Sequence, residues 1–158
     1  PLFAHVDGWQ WRPDLIWFDN TRMFKSVSYY VQQMYAMNKG TNVLPLTMAG
    51  KPVAGQEGQN GLFASAVTDR NTREVIVKVI NTGKTPQPVS INLLGMKGER
   101  TAATVTLTSD DPDAENTLDN PERIVPQSGT ARCEAGKKST VLTDNLPAMT
   151  FRLYKVKM

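Results

Sequence analysis

The sequence predicts a mainly β protein in which an antiparallel β-sandwich follows a short strand–loop–helix segment. Composition changes sharply near Thr41, from an aromatic, helix-prone stretch to one rich in Val, Thr, Gly and Pro. After that point, short runs with alternating apolar and polar residues follow one another, separated by turn residues and without a helical pattern. Such an arrangement is typical of antiparallel sandwiches and barrels.

Residues 1–41 have the pattern of a single βα unit. The run "PLFAHV" is typical of a buried strand. Ser26 is a suitable N-cap for a helix over residues 27–38, and Gly40 suits its C-terminal end. A lone βα unit cannot bury its own apolar surface, so it must pack against other structure. One face of the expected helix is apolar: Val27, Tyr30, Val31, Met34 and Met37.

Residues 42–158 begin with a Gly- and Pro-containing stretch over 42–60, which we interpret as an extended connector. The strands expected after it alternate apolar and polar positions. The tetrapeptide "RNTR" joins the first two as a hairpin, and Val75, Val77 and Val79 share one face of the second. The expected strands lie within 61–69, 74–83, 87–95, 100–110 and 147–158.

Composition argues against several classes of protein. The net charge of +3 is spread along 158 residues, with no basic cluster interleaved with aromatics, so we expect no nucleic-acid partner. No apolar run reaches the roughly 18–20 residues of a membrane span, so we expect no membrane partner. Cys133 is the one cysteine, which excludes intrachain disulfides and four-cysteine zinc sites and favours an incidental thiol. We expect no cofactor and no metal.

The acidic segment "SDDPDAENTLDNPE", residues 109–122, is called the acidic loop below. Its acids approach the spacing of a calcium-binding loop, but Asn116 stands where such a loop needs glycine. A long strand connection with Asx turns and local hydrogen bonds is the favoured interpretation. A long loop of this kind is also compatible with docking onto a neighbouring domain. The acids in question are Asp111, Asp113, Glu115, Asp119 and Glu122.

The segment "HVDGWQWRPDLIWFDN" concentrates the aromatic residues and contains the one histidine, His5. Trp9 and Trp11, with polar neighbours, have the composition of a carbohydrate-binding surface; packing beneath a strand–helix loop is the alternative. Trp17 and Phe18 favour packing because they lie next to the helical region. His5 has no convincing catalytic or metal-ligating partner, and no complete catalytic set is visible.

Three stretches resemble a known family: "PLFAHVDGWQWRPDLIWFDN", "SYYVQQMYAMNKGT" and "ENTLDNPERIVP". They are similar to the C-terminal part of the α-L-arabinofuranosidases of glycoside hydrolase family 51. The resemblance extends in order over nearly the whole chain and is weakest over 51–60 and 127–138.

This resemblance implies that residues 1–41 are the last βα unit of a truncated catalytic (β/α)8 barrel and that 42–158 form a C-terminal jelly-roll β-sandwich. The partner would be the missing barrel of the same polypeptide. The parent would hydrolyse terminal α-L-arabinofuranosyl residues of arabinan or arabinoxylan by a retaining mechanism. No glutamate here lies in a matching motif, so no catalytic residue is assigned and the chain alone should be inactive. The alternative is a free-standing carbohydrate-binding module.

The resemblance also suggests site residues, because barrel active sites lie in the βα loops. Trp9, Trp11 and Asp14 would then contribute to the wall of an arabinose-binding pocket. The chain begins without methionine, so we expect it to be part of a longer polypeptide, and a secreted, periplasmic or cytoplasmic location is equally compatible. Without the barrel, the edge at residues 1–6 and the apolar helix face should fold back on the sandwich, stay exposed, or pair with another copy as a homo-oligomer.

Overall fold

The computed structural model describes residues 3–8, 14–53 and 61–158. Within these residues the chain forms one helix, α1, and a series of strands. Their bounds are β1 Phe3–His5, β2 Ile16–Phe18, β3 Met23–Lys25, α1 Val27–Met37, β4 Asn42–Leu44, β5 Thr47–Met48, β6 Lys51–Pro52, β7 Leu62–Asp69, β8 Glu74–Asn81, β9 Gln87–Leu94, β10 Arg100–Thr108, β11 Gln127–Ala135, β12 Ser139–Leu146 and β13 Thr150–Lys157.

An eight-stranded antiparallel sheet dominates the fold, in the order β4-β7-β8-β13-β10-β11-β12-β9. Ala66 on β7 and Leu93 on β9 belong to one buried cluster, although these strands lie near opposite ends of the sheet. The sheet therefore curls around its core. The mainly β, antiparallel class predicted from the sequence is confirmed, with one continuous hydrogen-bonded ladder across the whole sheet.

The inner core takes its side chains from alternate positions of the strands. Val75, Val77 and Val79 of β8 lie together in it, as the period-2 pattern predicted. On β13, Tyr154 and Val156 point inward. The full inner cluster is Ala66, Val75, Val77, Val79, Leu93, Ala102, Cys133, Leu142, Leu146, Tyr154 and Val156.

The sequence did not predict β11 and β12. The pattern of β11 is almost entirely exposed, and Cys133 is its one fully buried side chain. A strand with a single fully buried side chain has no clear apolar alternation to detect. Burial raises the pKa of the Cys133 thiol, which fits an unreactive core residue.

Helix α1 packs on the outer face of the sheet. Met34 is 4% exposed and lies against Phe151 and Leu153 of β13, so of the three alternatives left open for the apolar helix face, packing on the sheet is the one observed. Met37 is 78% exposed, so its predicted place on the buried face is wrong. The outer cluster is Met34, Leu107, Ala114, Ile124, Phe151 and Leu153, with Val27, Tyr30, Val31, Ile80 and Val105 packed against it.

The ends of the helix follow local rules. Ser26 caps it as predicted, its hydroxyl accepting a hydrogen bond from the Tyr29 amide at 3.2 Å. The helix ends at Met37, one residue before the expected end, because Asn38 leaves the helical conformation. Gly40 has a φ of +67°, and a Cβ there would lie 2.6 Å from Val67 Cγ2.

The segment before the helix differs from the expected strand and long loop. Strands β1, β2 and β3 form a small sheet in which β1 pairs with β2 in parallel and β2 pairs with β3 antiparallel. Ring contacts hold it together: Trp17 stacks on Phe24 at 6.4 Å. Cross-strand aromatic pairing of this kind stabilises short strands that have little backbone hydrogen bonding.

The predicted connector over 42–60 is partly structured. Strand β4 joins the edge of the large sheet by pairing with β7, and β5 pairs with β6. Residues 54–60 of the connector lie outside the described residues. In the described part of the chain, no helix has both the length and the apolar character needed to cross a membrane.

Candidate functional site

An open cleft of about 910 Å³ lies between the N-terminal segment, which consists of the small sheet β1–β3 and the start of α1, and the outer face of the large sheet. The small sheet and the start of α1 form one wall. The acidic loop and the ends of the large strands form the other. Its lining includes Asp14, Trp17, Phe24, Leu107, Asn116 and Phe151.

The charge of this cleft is one-sided. Four carboxylates line it, and the described lining includes no lysine, arginine or histidine. Such a surface disfavours anionic ligands and favours a neutral or cationic one. The four acids are Asp14, Asp111, Asp113 and Glu115.

Asp14 is the predicted site residue that the structure describes. It is 1% exposed and lies two residues before β2, on the cleft wall. The next residue is held in place, because the carbonyl of Leu15 accepts a hydrogen bond from the Ser26 amide at 2.9 Å. Trp9 and Trp11 lie outside the described residues. A substrate contact for all three remains a prediction.

Asn116 organises the acidic loop. Its side chain is 2% exposed and donates to the carbonyl oxygens of Lys25 and Ile124, each at 2.9 Å. Its amide oxygen accepts from the Ile124 amide at 2.7 Å. Asn116, which departs from the pattern of a calcium-binding loop, therefore ties the acidic loop to β3, a contact that the sequence pattern does not predict.

The acids of this loop form local turns. Asp111 accepts from the Asp113 amide at 3.0 Å, the Asx-type pattern that the favoured interpretation expected. Its other carboxylate oxygen lies 3.4 Å from Arg123. Among the described residues, no group of three or more His, Cys, Asp or Glu side chains could hold a metal ion.

A second contact joins the loop to the N-terminal segment. Arg22 pairs with Asp19 at 2.9 Å in its own turn and with Asp119 of the acidic loop at 2.8 Å. Hydrogen bonds from the amides of Thr21 and Arg22, with the guanidinium beside it, lower the pKa of Asp19 to about 2. Hydrogen bonds from the guanidinium to Asp19 and Asp119 raise the pKa of Arg22. The acidic loop is therefore docked on the N-terminal segment of the same chain.

A separate polar network lies at the rim of the inner core. Asp144 accepts hydrogen bonds from the Tyr154 hydroxyl at 2.6 Å and from Arg152, which also donates to Thr106 at 2.8 Å. Burial alone would raise the pKa of Asp144, but the bonds from Tyr154 and Arg152 outweigh it and the pKa lies below its ordinary value. Burial, and then the Asp144 carboxylate, raise the pKa of Tyr154.

Comparison with known proteins gives the class of this fold and site. The sequence profile of the alpha-L-arabinofuranosidase C-terminal domain matches residues 1–149. The chain belongs to this family, the C-terminal domain of the α-L-arabinofuranosidases of glycoside hydrolase family 51, which hydrolyse arabinofuranosyl residues. The resemblance stated from three sequence stretches is thereby confirmed.

Individual relatives agree with the family assignment. The chain is similar to alpha-L-arabinofuranosidase A of Aspergillus kawachii, at 30% identity over 152 residues, covering 94% of this chain and 21% of the relative. It is 29% identical over 133 residues to alpha-L-arabinofuranosidase 1 of Arabidopsis thaliana, covering 80% of this chain and 18% of the relative. The chain therefore spans about a fifth of the length of these curated relatives.

Solved structures show the same fold. An arabinose-bound α-L-arabinofuranosidase of family 51 superposes with a TM-score of 0.82 and 28% identity, covering 99% of this chain and 23% of that one. The α-L-arabinofuranosidase of Thermotoga maritima, an arabinose complex, has a TM-score of 0.72 at 17% identity, over 92% of this chain and 32% of that one. The second similarity concerns the fold alone.

Proposed function

We propose that this chain is the C-terminal part of a longer retaining α-L-arabinofuranosidase that removes terminal α-L-arabinofuranosyl residues from arabinan or arabinoxylan. One observation carries the proposal: 99% of the chain superposes on part of an arabinose-bound enzyme of family 51. In this proposal residues 1–41 are the last βα unit of the catalytic (β/α)8 barrel. Residues 42–158 are the accessory jelly-roll β-sandwich.

The acid–base chemistry belongs to the remainder of the polypeptide. A retaining mechanism needs two carboxyl groups about 5–5.5 Å apart, across the scissile bond. Of the acids beside the cleft, Asp111 is engaged in a local turn, in which its carboxylate accepts from the amide of Asp113. We therefore assign the chain a role in support and in substrate contact, and assign the catalytic glutamates to the missing barrel.

The N-terminal segment is the part that would reach the substrate. Asp14 lines the cleft from a position two residues before β2, and Trp9 and Trp11 precede it in the sequence. In a (β/α)8 barrel, the loops that follow the strands form the active-site face. These three residues are therefore the proposed wall of the arabinose pocket, with indole rings for the apolar sugar face and a carboxylate for its hydroxyl groups.

The experiment compares the full-length polypeptide with the present chain in hydrolysis of 4-nitrophenyl α-L-arabinofuranoside. We expect turnover by the full-length protein and none by residues 1–158. Within the full-length protein, Asp14→Asn should lower kcat/KM by about 10–100-fold, since a misplaced or missing substrate contact costs about that much. Asp110→Asn, at an exposed aspartate of the acidic loop outside the cleft lining, is the matched control and should keep wild-type kinetics.

Two results would contradict the proposal. The first is a full-length protein without arabinofuranosidase activity. The second is arabinan binding by the isolated chain that is lost in Trp11→Ala, which would favour the free-standing carbohydrate-binding module instead. Equal kinetics for Asp14→Asn and Asp110→Asn would remove Asp14 from the pocket wall.

A further inference from the structure

A buried amide joins two parts of the molecule that are far apart in the sequence. The Asn116 side chain uses both of its donor hydrogens and its acceptor oxygen: the donors go to Lys25 and Ile124, and the oxygen accepts from Ile124. The bond to Lys25 crosses 91 residues of sequence. A buried amide satisfied in this way fixes the relative position of the three backbone groups that it contacts.

The Lys25 backbone lies at the centre of the N-terminal segment. Lys25 is the register partner of Ile16 in the β2–β3 pair. The following residue, Ser26, donates its amide to the carbonyl of Leu15 at 2.9 Å and caps α1. A bond to Lys25 therefore also restrains the start of β2, where Asp14 lies on the cleft wall.

A second polar contact between the acidic loop and the N-terminal segment, an ion pair, is weaker. Arg22 and Asp119 pair at 2.8 Å, but their side chains are 51% and 91% exposed. Exposed ion pairs contribute little because water and salt screen them. The buried amide is therefore the dominant polar link between the acidic loop and the N-terminal segment.

We propose that Asn116 is a positioning residue, which holds the segment over residues 14–26 against the acidic loop so that Asp14 keeps its place beside the substrate pocket. This role in catalysis rests on the proposed function. The link itself does not, because it is a property of the contacts of Asn116.

The side-chain chemistry explains why asparagine is needed. Asn116→Asp keeps the shape and the acceptor for Ile124, but it replaces two donors by a carboxylate oxygen facing two carbonyls. A buried carboxylate oxygen that faces two carbonyl oxygens is repelled by them and has no hydrogen-bond donor. Asn120→Asp is the matched control: it makes the same substitution in the same loop at an exposed side chain.

The experiment combines hydrogen exchange with kinetics on the full-length polypeptide. In Asn116→Asp, amides within 14–26 should exchange at least about tenfold faster than in Asn120→Asp, while those of β8 and β13 stay protected. With 4-nitrophenyl α-L-arabinofuranoside, kcat/KM of Asn116→Asp should fall about tenfold or more, as expected for a displaced contact. If the fall in kcat/KM comes from a higher KM, saturating substrate should restore part of the rate.

Each result has a defined consequence. Unchanged exchange over 14–26 in Asn116→Asp overturns the link, whatever the kinetics. Faster exchange there with the kinetics of Asn120→Asp overturns the positioning role and leaves both the link and the proposed function standing. A wild-type protein that does not hydrolyse the substrate overturns the proposed function and with it the catalytic role, whereas the exchange measurement still decides the link.

Discussion

At the scale of single residues, buried amides join distant segments of this fold. Asn81 is fully buried, donates to the carbonyls of Thr85 and Pro147, each at 2.9 Å, and accepts from the Gly83 amide at 2.9 Å. Asn116 does the same for the acidic loop and β3. In both places the amide forms hydrogen bonds to backbone groups of separate segments, and buried backbone groups without a partner are costly.

The network around Asp144 predicts a dependence of stability on pH. The pKa of Asp144 is lowered from its ordinary value of 3.8, so its stabilising effect is present above that value and is lost as pH falls through the lowered one. Asp144→Asn should destabilise the fold at pH 7 by about 1–3 kcal/mol, because Tyr154 and Arg152 lose their charged acceptor.

Chemical unfolding at pH 7 and at successively lower pH checks this prediction. The difference in unfolding free energy between wild type and Asp144→Asn should shrink below about pH 4. The exposed Asp110→Asn is the control and should show no such convergence. A difference that is constant with pH would contradict the assigned cause.

Gly40 offers a second prediction at the residue scale. Gly40→Ala places a Cβ 2.6 Å from Val67 Cγ2 and 2.8 Å from the Thr68 carbonyl, at a φ of +67°. We expect a loss of about 1–3 kcal/mol in unfolding free energy. Gly95→Ala isolates the backbone part, because Gly95 also has a positive φ, +84°, but has nothing within 4 Å of its Cβ position. Equal losses in the two variants would disprove the steric cause.

At the scale of elements, α1 is stabilised by the packing of its Met34 face and by the Ser26 N-cap. The helix has eleven residues, which is marginal for an isolated helix, so its stability depends on packing against β13. The stacking of Tyr35 on Phe151, with centroids 5.0 Å apart, adds to the contact made by Met34. Lys78 lies beneath the helix with its ammonium 5.7 Å from the Tyr35 ring, and burial lowers its pKa.

Two methionines of α1 test this dependence. Met34→Ala removes a buried side chain and should cost about 2–5 kcal/mol in thermal or chemical unfolding. Met37→Ala changes the same residue type on the same helix where it is exposed, and should cost little. Comparable losses would mean that the helix is not anchored through its Met34 face.

At the scale of the whole molecule, the sheet is covered on both faces around β13. The inner cluster lies within the curl, and the outer cluster lies beneath α1 and the acidic loop. The central strand β13 therefore buries alternate residues in opposite directions. The two parts on either side of the proposed boundary at residue 41 therefore share a buried surface. The stability of α1 depends on its packing against the sheet.

Two truncations test that conclusion. Residues 42–158 lack α1 and should expose the outer face around Phe151 and Ile80, with increased binding of a hydrophobic dye and a lower Tm. Residues 26–158 keep the capped helix and should bind less dye. Equal dye binding by the two would show that α1 does not cover this face.

The sequence by itself determined the class of the fold and much of its local structure. Alternation identified β8 and the strand within 147–158, and Ser26 marked the start of α1, because these features depend on neighbours along the chain. Family membership also followed from the sequence stretches, and the comparisons confirmed it.

The remaining features depend on the tertiary structure and could not be predicted from the sequence. Strand β11 carries one buried side chain, Met37 faces outward, and Asn116 bonds to Lys25 across 91 residues. None of these could be read from periodicity, because each depends on which distant segment lies opposite. Local pattern specifies which elements form and which side chains can be buried, whereas the curl of the sheet specifies what each of them meets.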